Sequence, residues 1–149
     1  MILYDESVHH KTDDGVTFPH YLTSKGVLPG ICVDTGLVPM MGTKSETTTQ
    51  GLDDLTKRAG KYYELGCRFA KWRIAYTIGQ DTPSPLAILE NANVVARYAS
   101  CCQQAGLVPI VEPDVSMEGD HDIKRCQKVM VRFYRPKKPR NDLGIDASR

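Results

Sequence analysis

Phe69-Ala70-Lys71-Trp72-Arg73-Ile74 is the stretch that decides the fold. It carries aromatic and β-branched residues between Gly66 and Gly79 and reads as a strand. Successive strand side chains face opposite ways, so Phe69, Lys71 and Arg73 share one face while Ala70, Trp72 and Ile74 take the other. Two cations therefore point together. On a solvated strand they would mean little, but the surroundings point elsewhere. A long helical segment follows, and then Leu107-Val108-Pro109-Ile110-Val111-Glu112-Pro113-Asp114, an apolar strand that turns acidic only at its carboxyl end. Strands alternating with helices predict a parallel sheet covered on both faces. Charges inside such a sheet are costly unless paired, and parallel sheets collect them at the carboxyl ends of their strands.

Outward from this stretch, Ile2-Leu3-Tyr4 and Gly30-Ile31-Cys32-Val33-Asp34 read as further strands, the second with Cys32 and Asp34 on one face, and Asp13-Asp14-Gly15 marks a turn. Residues 36–51 are read as a polar loop, too rich in hydroxyls for a core element. A helix is predicted from about Leu52 to Leu65: Leu52, Leu55, Ala59 and Tyr62 recur at helical spacing, and Gly66 closes it. Thr82-Pro83 reads as the cap and first turn of a second helix, with Leu86, Leu89, Ala92, Ala96 and Ala99 as its buried stripe and Gly106 as its end. Asp120 is expected to cap a third, containing Cys126, Val129 and Met130. This rhythm suits an open doubly wound sheet or part of a (β/α) barrel.

The bulk properties set bounds. With 149 residues, 41% hydrophobic and 25% charged, the composition is that of one soluble globular domain. A net charge of +1 gives no general reason to expect nucleic acid or an acidic membrane as partner. No apolar run is long enough to cross a bilayer, and Met1-Ile2-Leu3-Tyr4-Asp5-Glu6 lacks the basic start of a signal peptide. Cys32, Cys67, Cys101, Cys102 and Cys126 show no Cys-x-x-Cys spacing and fit free thiols in a reducing cytoplasm. Asp120-His121-Asp122 has no partner cluster and reads as a helix cap rather than a metal site, and His9-His10 as a solvated loop. Arg132-Phe133-Tyr134-Arg135-Pro136-Lys137-Lys138-Pro139-Arg140 offers interleaved aromatics and cations, but its prolines forbid a helix there, and residues 132–149 are read as a disordered basic tail behind a domain of residues 1–131.

Several of these stretches, in order, resemble class I fructose-bisphosphate aldolase. They are Gly42-Thr43, Glu46-Thr47-Thr48-Thr49-Gln50-Gly51-Leu52-Asp53, Phe69-Ala70-Lys71-Trp72-Arg73, Leu89-Glu90-Asn91-Ala92-Asn93, Ala96-Arg97-Tyr98-Ala99-Ser100, Val108-Pro109-Ile110-Val111-Glu112-Pro113 and Gly119-Asp120-His121-Asp122. The resemblance covers roughly residues 2–128. It implies a (β/α)₈ barrel, cytoplasmic and homotetrameric, acting in glycolysis and gluconeogenesis. The implied reaction is reversible cleavage of fructose 1,6-bisphosphate into dihydroxyacetone phosphate and glyceraldehyde 3-phosphate, through a lysine Schiff base and without a metal or other cofactor.

Carried over residue by residue, Glu112 falls on the family's carboxylate that moves protons as the carbinolamine forms and dehydrates. Lys71 falls on the lysine that contacts substrate and balances charge beside the Schiff-base centre. Arg73 falls on an arginine suited to phosphate oxygens, and Asp34 on an acid near the same site. The plain alternatives are a Lys71–Glu112 salt bridge that only neutralises both charges, a solvated Arg73, and Trp72 packed on outer helices. A further alternative makes Lys71 itself the imine nucleophile, its pKa lowered by Arg73, although it falls on the family's other lysine.

The sequence also departs from the pattern. Cys32 stands where the family usually has a lysine, and after Lys128 the chain turns basic and proline-bearing. No segment resembles the strand bearing the Schiff-base lysine or the barrel's first strand. Such a barrel needs about 250 residues and eight strands, against four candidate strands here. The chain is accordingly expected to be a fragment or truncated product, inactive alone, marginally stable and prone to aggregate through unpaired edges. The alternative function is a non-catalytic product acting only by binding to aldolase subunits or other partners.

Overall fold

Residues 69–76 alternate in the computed structural model as their sequence requires. The strand buries Ala70, Trp72, Ile74 and Tyr76 and leaves Phe69, Lys71, Arg73 and Ala75 at least partly open. The structure describes residues 1–134. Strands β1 (Ile2–Leu3), β2 (Gly30–Cys32), β5 (Phe69–Tyr76) and β6 (Val108–Val115) form one wholly parallel sheet in the order β1-β2-β5-β6. Lys71 is registered with Cys32 on one side and Ile110 on the other.

Helices α1 (Phe18–Ser24), α2 (Leu55–Glu64) and α3 (Pro85–Gln104) lie between the strands of this sheet, and α4 (Ile123–Tyr134) follows β6. Helix α1 was not expected; it is short and carries one buried residue, Pro19, so periodicity gave little to read. Helix α2 buries the expected Leu55, Ala59 and Tyr62 but begins at Leu55, because Asp54 takes a left-handed conformation (φ 53°). Gly66, at φ 106°, closes it as expected.

Helix α3 differs from expectation twice. Its cap is Ser84, whose Oγ accepts the Ala87 N–H at 3.1 Å with Pro85 in the first turn, so the hydroxyl-proline signal lies one step beyond Thr82-Pro83. Its buried stripe is Ala87, Ile88, Asn91, Val94, Val95, Tyr98 and Cys102, whereas Leu86 is 53% exposed. Apolar residues lie nearly all round this helix, so spacing alone supports two neighbouring stripes; the larger Tyr98 and valines take the sheet side. The indole of Trp72 packs against the Tyr98 ring (centroids 5.1 Å apart), and the Tyr98 hydroxyl lies 2.7 Å from the Ala70 carbonyl and 3.1 Å from that of Ile110. Trp72 thus packs on the outer helical layer, as expected.

The segment 36–51 is not wholly a loop. Strands β3 (Leu37–Pro39) and β4 (Thr47–Thr49) pair as an antiparallel hairpin. β-Branched threonines favour strand, and the Thr49 hydroxyl is satisfied by donating to the Arg73 carbonyl at 2.7 Å, which fastens the hairpin to β5. Helix α4 is capped by Asp122 rather than Asp120: its Oδ1 accepts the Arg125 N–H at 2.8 Å. The helix runs through Arg132, Phe133 and Tyr134, with Phe133 buried edge-on against Tyr76. The rest of the expected basic tail, residues 135–149, lies outside the described residues.

Candidate active site

The four sequence-derived residues meet on one side of the sheet, but only Asp34, just beyond β2, lies past a strand end: Lys71 and Arg73 sit within the first five residues of β5, and Glu112 is mid-strand in β6. Lys71 Nζ lies 2.8 Å from Glu112 Oε2, with the lysine side chain 16% exposed and the glutamate 48%. The Lys71 ammonium also lies 4.0 Å from Cys32 Sγ, and Cys32 donates to Asp34 Oδ2 at 3.0 Å. The same Asp34 oxygen accepts the Arg73 backbone N–H at 3.3 Å, tying the end of β2 to β5. Lys71, Glu112, Cys32 and Asp34 thus form one connected cluster.

Arg73 is engaged differently. Its Nε and Nη2 both donate to Asp114 Oδ2, at 3.0 and 2.5 Å. The sequence reading gives Asp114 no role. The signal was present: two residues after Glu112 it occupies the same face of β6. A phosphate approaching Arg73 would share or displace this acid.

Burial pulls the Lys71 pKa down, but the hydrogen bond to Glu112 and the negative charge of Glu112 and Asp34 outweigh it, so the net shift is upward. The lowered value needed for an imine-forming Lys71 is therefore absent, because Arg73 is occupied by Asp114 while Lys71 faces acids. Burial first, then the hydrogen bond to Asp34, pushes the Cys32 thiol up to about 11. Lys71 is a fixed positive charge, Cys32 a neutral donor, and Glu112 the half-exposed group of the cluster.

A cavity of about 1100 Å³ borders Cys32 and Asp34 and reaches Arg58 and Tyr62 on α2. Lys71 and Glu112 do not line it; beside them on β6, Val108 and Ile110 are exposed. Among the described residues no group of three His, Cys, Asp or Glu side chains gathers as metal ligands, Asp120-His121-Asp122 included.

Residues 1–135 match the family model described as fructose-bisphosphate aldolase class I. The chain is 60% identical over 129 residues to fructose-bisphosphate aldolase of Schistosoma mansoni, covering 87% of this chain and 36% of that one. It is 53% identical over 139 residues to human fructose-bisphosphate aldolase C, covering 91% and 38%. A solved structure of fructose-bisphosphate aldolase from Plasmodium falciparum, in complex with TRAP and a small molecule inhibitor, superposes with a TM-score of 0.84 at 44% identity, over 89% of this chain and 40% of that one. The chain thus spans well under half the length of these relatives, and its parallel strands alternating with helices correspond to part of an α/β TIM barrel. It belongs to the class I fructose-bisphosphate aldolase family.

Proposed function

We propose that this chain supplies the Lys71–Glu112 portion of an aldolase site that binds fructose 1,6-bisphosphate and its products dihydroxyacetone phosphate and glyceraldehyde 3-phosphate. The observation that carries this reading is the 2.8 Å contact between a mostly buried lysine and a half-exposed glutamate on adjacent parallel strands. Lys71, kept as an ammonium, attracts a substrate oxygen and holds the developing negative charge next to the reacting carbon. Glu112 reaches solvent and substrate on its open side and passes the proton that leaves or joins the carbinolamine oxygen. Arg73 offers its remaining guanidinium edge to phosphate oxygens, and Asp34, held by the Cys32 thiol and the Arg73 N–H, orients hydroxyls of the sugar.

In this reading the imine forms on a lysine other than Lys71, no metal or other cofactor takes part, and the described residues do not complete the reaction alone. The protein works in the cytoplasm, in glycolysis and gluconeogenesis, as part of a homotetramer. Titration calorimetry with fructose 1,6-bisphosphate tests the site: binding that weakens at least about tenfold, or 1.4 kcal/mol, in Lys71→Met is expected, and equal affinity would remove the assignment. Borohydride reduction with dihydroxyacetone phosphate, followed by peptide mapping, is expected to leave Lys71 unmodified.

A second reading, binding without catalysis, is favoured by the open face of β6, where Val108 is 64% and Ile110 42% exposed. Association with aldolase subunits in the absence of turnover would support it; turnover by the purified chain would exclude it.

A further inference from the structure

The net charge of +1 conceals an asymmetry. Eight of the 19 lysines and arginines fall within residues 123–140, a stretch without a single aspartate or glutamate. Its described part is helix α4, Ile123–Tyr134. Lys124, Lys128 and Arg132 follow one another at four-residue spacing along one line of this helix, and all three are exposed. Among the described residues no ion pair joins any of them to an acid. Arg125 instead turns toward the Gly79 carbonyl, at 3.4 Å, and Asp122 is engaged as the helix cap.

Like charges four residues apart repel, and among the described residues no ion pair compensates these three. A polyanionic surface would. Beside them on the outward side of α4, Ile123, Val131 and Tyr134 are 80%, 53% and 62% exposed, while Val129 and Phe133 anchor the opposite side in the core. Cations flanked by exposed apolar side chains, on a helix fixed by its other face, are the pattern of an in-plane contact with a lipid interface. A single-stranded nucleic acid would call for aromatic stacking platforms beside the cations, but Phe133 is buried and Tyr134, edge-on to it, is the one exposed aromatic of α4.

We propose that the outer face of α4 docks on an anionic lipid bilayer, with Lys124, Lys128 and Arg132 against the headgroups and Ile123, Val131 and Tyr134 at the acyl boundary. Arg135, Lys137, Lys138 and Arg140 follow in sequence and carry charge of the same sign. Each cation near such a surface contributes roughly fivefold to partitioning.

Sedimentation of the full chain with vesicles tests the proposal, using phosphatidylcholine alone or mixed with phosphatidylserine. Binding is expected only to the mixed vesicles and to fall as salt rises. Lys124→Gln/Lys128→Gln/Arg132→Gln should lower it by on the order of 100-fold. Lys124→Arg/Lys128→Arg, which keeps the charge, should bind as the unaltered chain does, and Val131→Asp should weaken binding at an unchanged circular dichroism spectrum. Equal binding to neutral vesicles, or a triple variant that binds undiminished, would overturn the proposal. So would retention on a polynucleotide together with no binding to the mixed vesicles.

Discussion

Lys71 reaches Glu112 diagonally: its register partner on β6 is Ile110, yet its ammonium lies 2.8 Å from the carboxylate two residues further along. Arg73 repeats the offset, being registered with Glu112 while its guanidinium holds Asp114. Side chains on strands lean along the strand direction, and here both long cations lean toward the carboxyl end. Each therefore engages the acid one pleat beyond its neighbour.

The Lys71–Glu112 pair should be visible in stability. Glu112→Gln leaves a mostly buried ammonium with weaker compensation and is expected to cost about 1–2 kcal/mol in urea denaturation, less than the roughly 3–5 of a fully buried pair because Glu112 is half exposed. A shift indistinguishable from zero would mean that the neighbouring Asp34 suffices. The pH dependence has a definite sign. Folding raises the Lys71 pKa, so its contribution is fully present below the ordinary value of 10.5 and is lost as pH climbs through the higher folded value. The stability difference between the unaltered chain and Lys71→Met should stay level across neutral pH and shrink only in strong alkali.

Thiol reactivity should divide the five cysteines. Burial pushes Cys32 and Cys67 up to about 11 and Cys102 to about 12, with the Asp34 hydrogen bond adding to the shift at Cys32. Because the thiolate is the attacking form, these three should alkylate slowly in mild alkali while the less buried Cys101 and Cys126 react first. Iodoacetamide labelling read by peptide mass would show the order; early modification of Cys32 would contradict its role as a neutral donor to Asp34.

The outer layer should be sensitive at the Trp72–Tyr98 contact. Trp72→Ala removes a fully buried indole and is expected to destabilise by about 3–5 kcal/mol. Tyr98→Phe keeps the ring but drops the hydroxyl that meets the carbonyls of Ala70 and Ile110, at an expected cost of about 1–2 kcal/mol. Equal effects in thermal melts would show that the hydroxyl, rather than ring packing, dominates this contact.

Gly30 should tolerate no side chain. A Cβ there would overlap the ring of Phe69, its register partner on β5. Gly30→Ala is expected to destabilise by about 1–3 kcal/mol, and Phe69→Leu in the same chain should recover part of that loss, giving a clearly non-additive double-mutant cycle. Strict additivity would mean that the backbone, not the ring, resists the substitution.

Much of this was legible in the chain. The two-residue alternation of Phe69–Ile74 predicted that Ala70, Trp72 and Ile74 share a face, and the cations and acids of neighbouring strands predicted where charge gathers, although Lys71 and Glu112 meet within their strands and not at the carboxyl ends. The reading failed where local signals were degenerate. A run of threonines reads as a loop until a neighbouring carbonyl, that of Arg73, satisfies one hydroxyl and turns the run into a strand. A helix apolar on several sides does not announce which stripe is buried, and two hydroxyl-proline steps in succession do not say which caps.

By itself the sequence determined the order of the four parallel strands and the three longer helices, the face on which Lys71 and Arg73 lie, and the family, because side-chain alternation and motif order are properties of the covalent chain. Only the tertiary structure decided the partners. Which acid each cation meets depends on strand register and on the lean of long side chains across it, and that is set by packing between elements far apart in sequence. The raised pKa of Lys71 is likewise a tertiary outcome, since Glu112 on β6 and Asp34 just beyond β2 bring their charges to it and outweigh its burial.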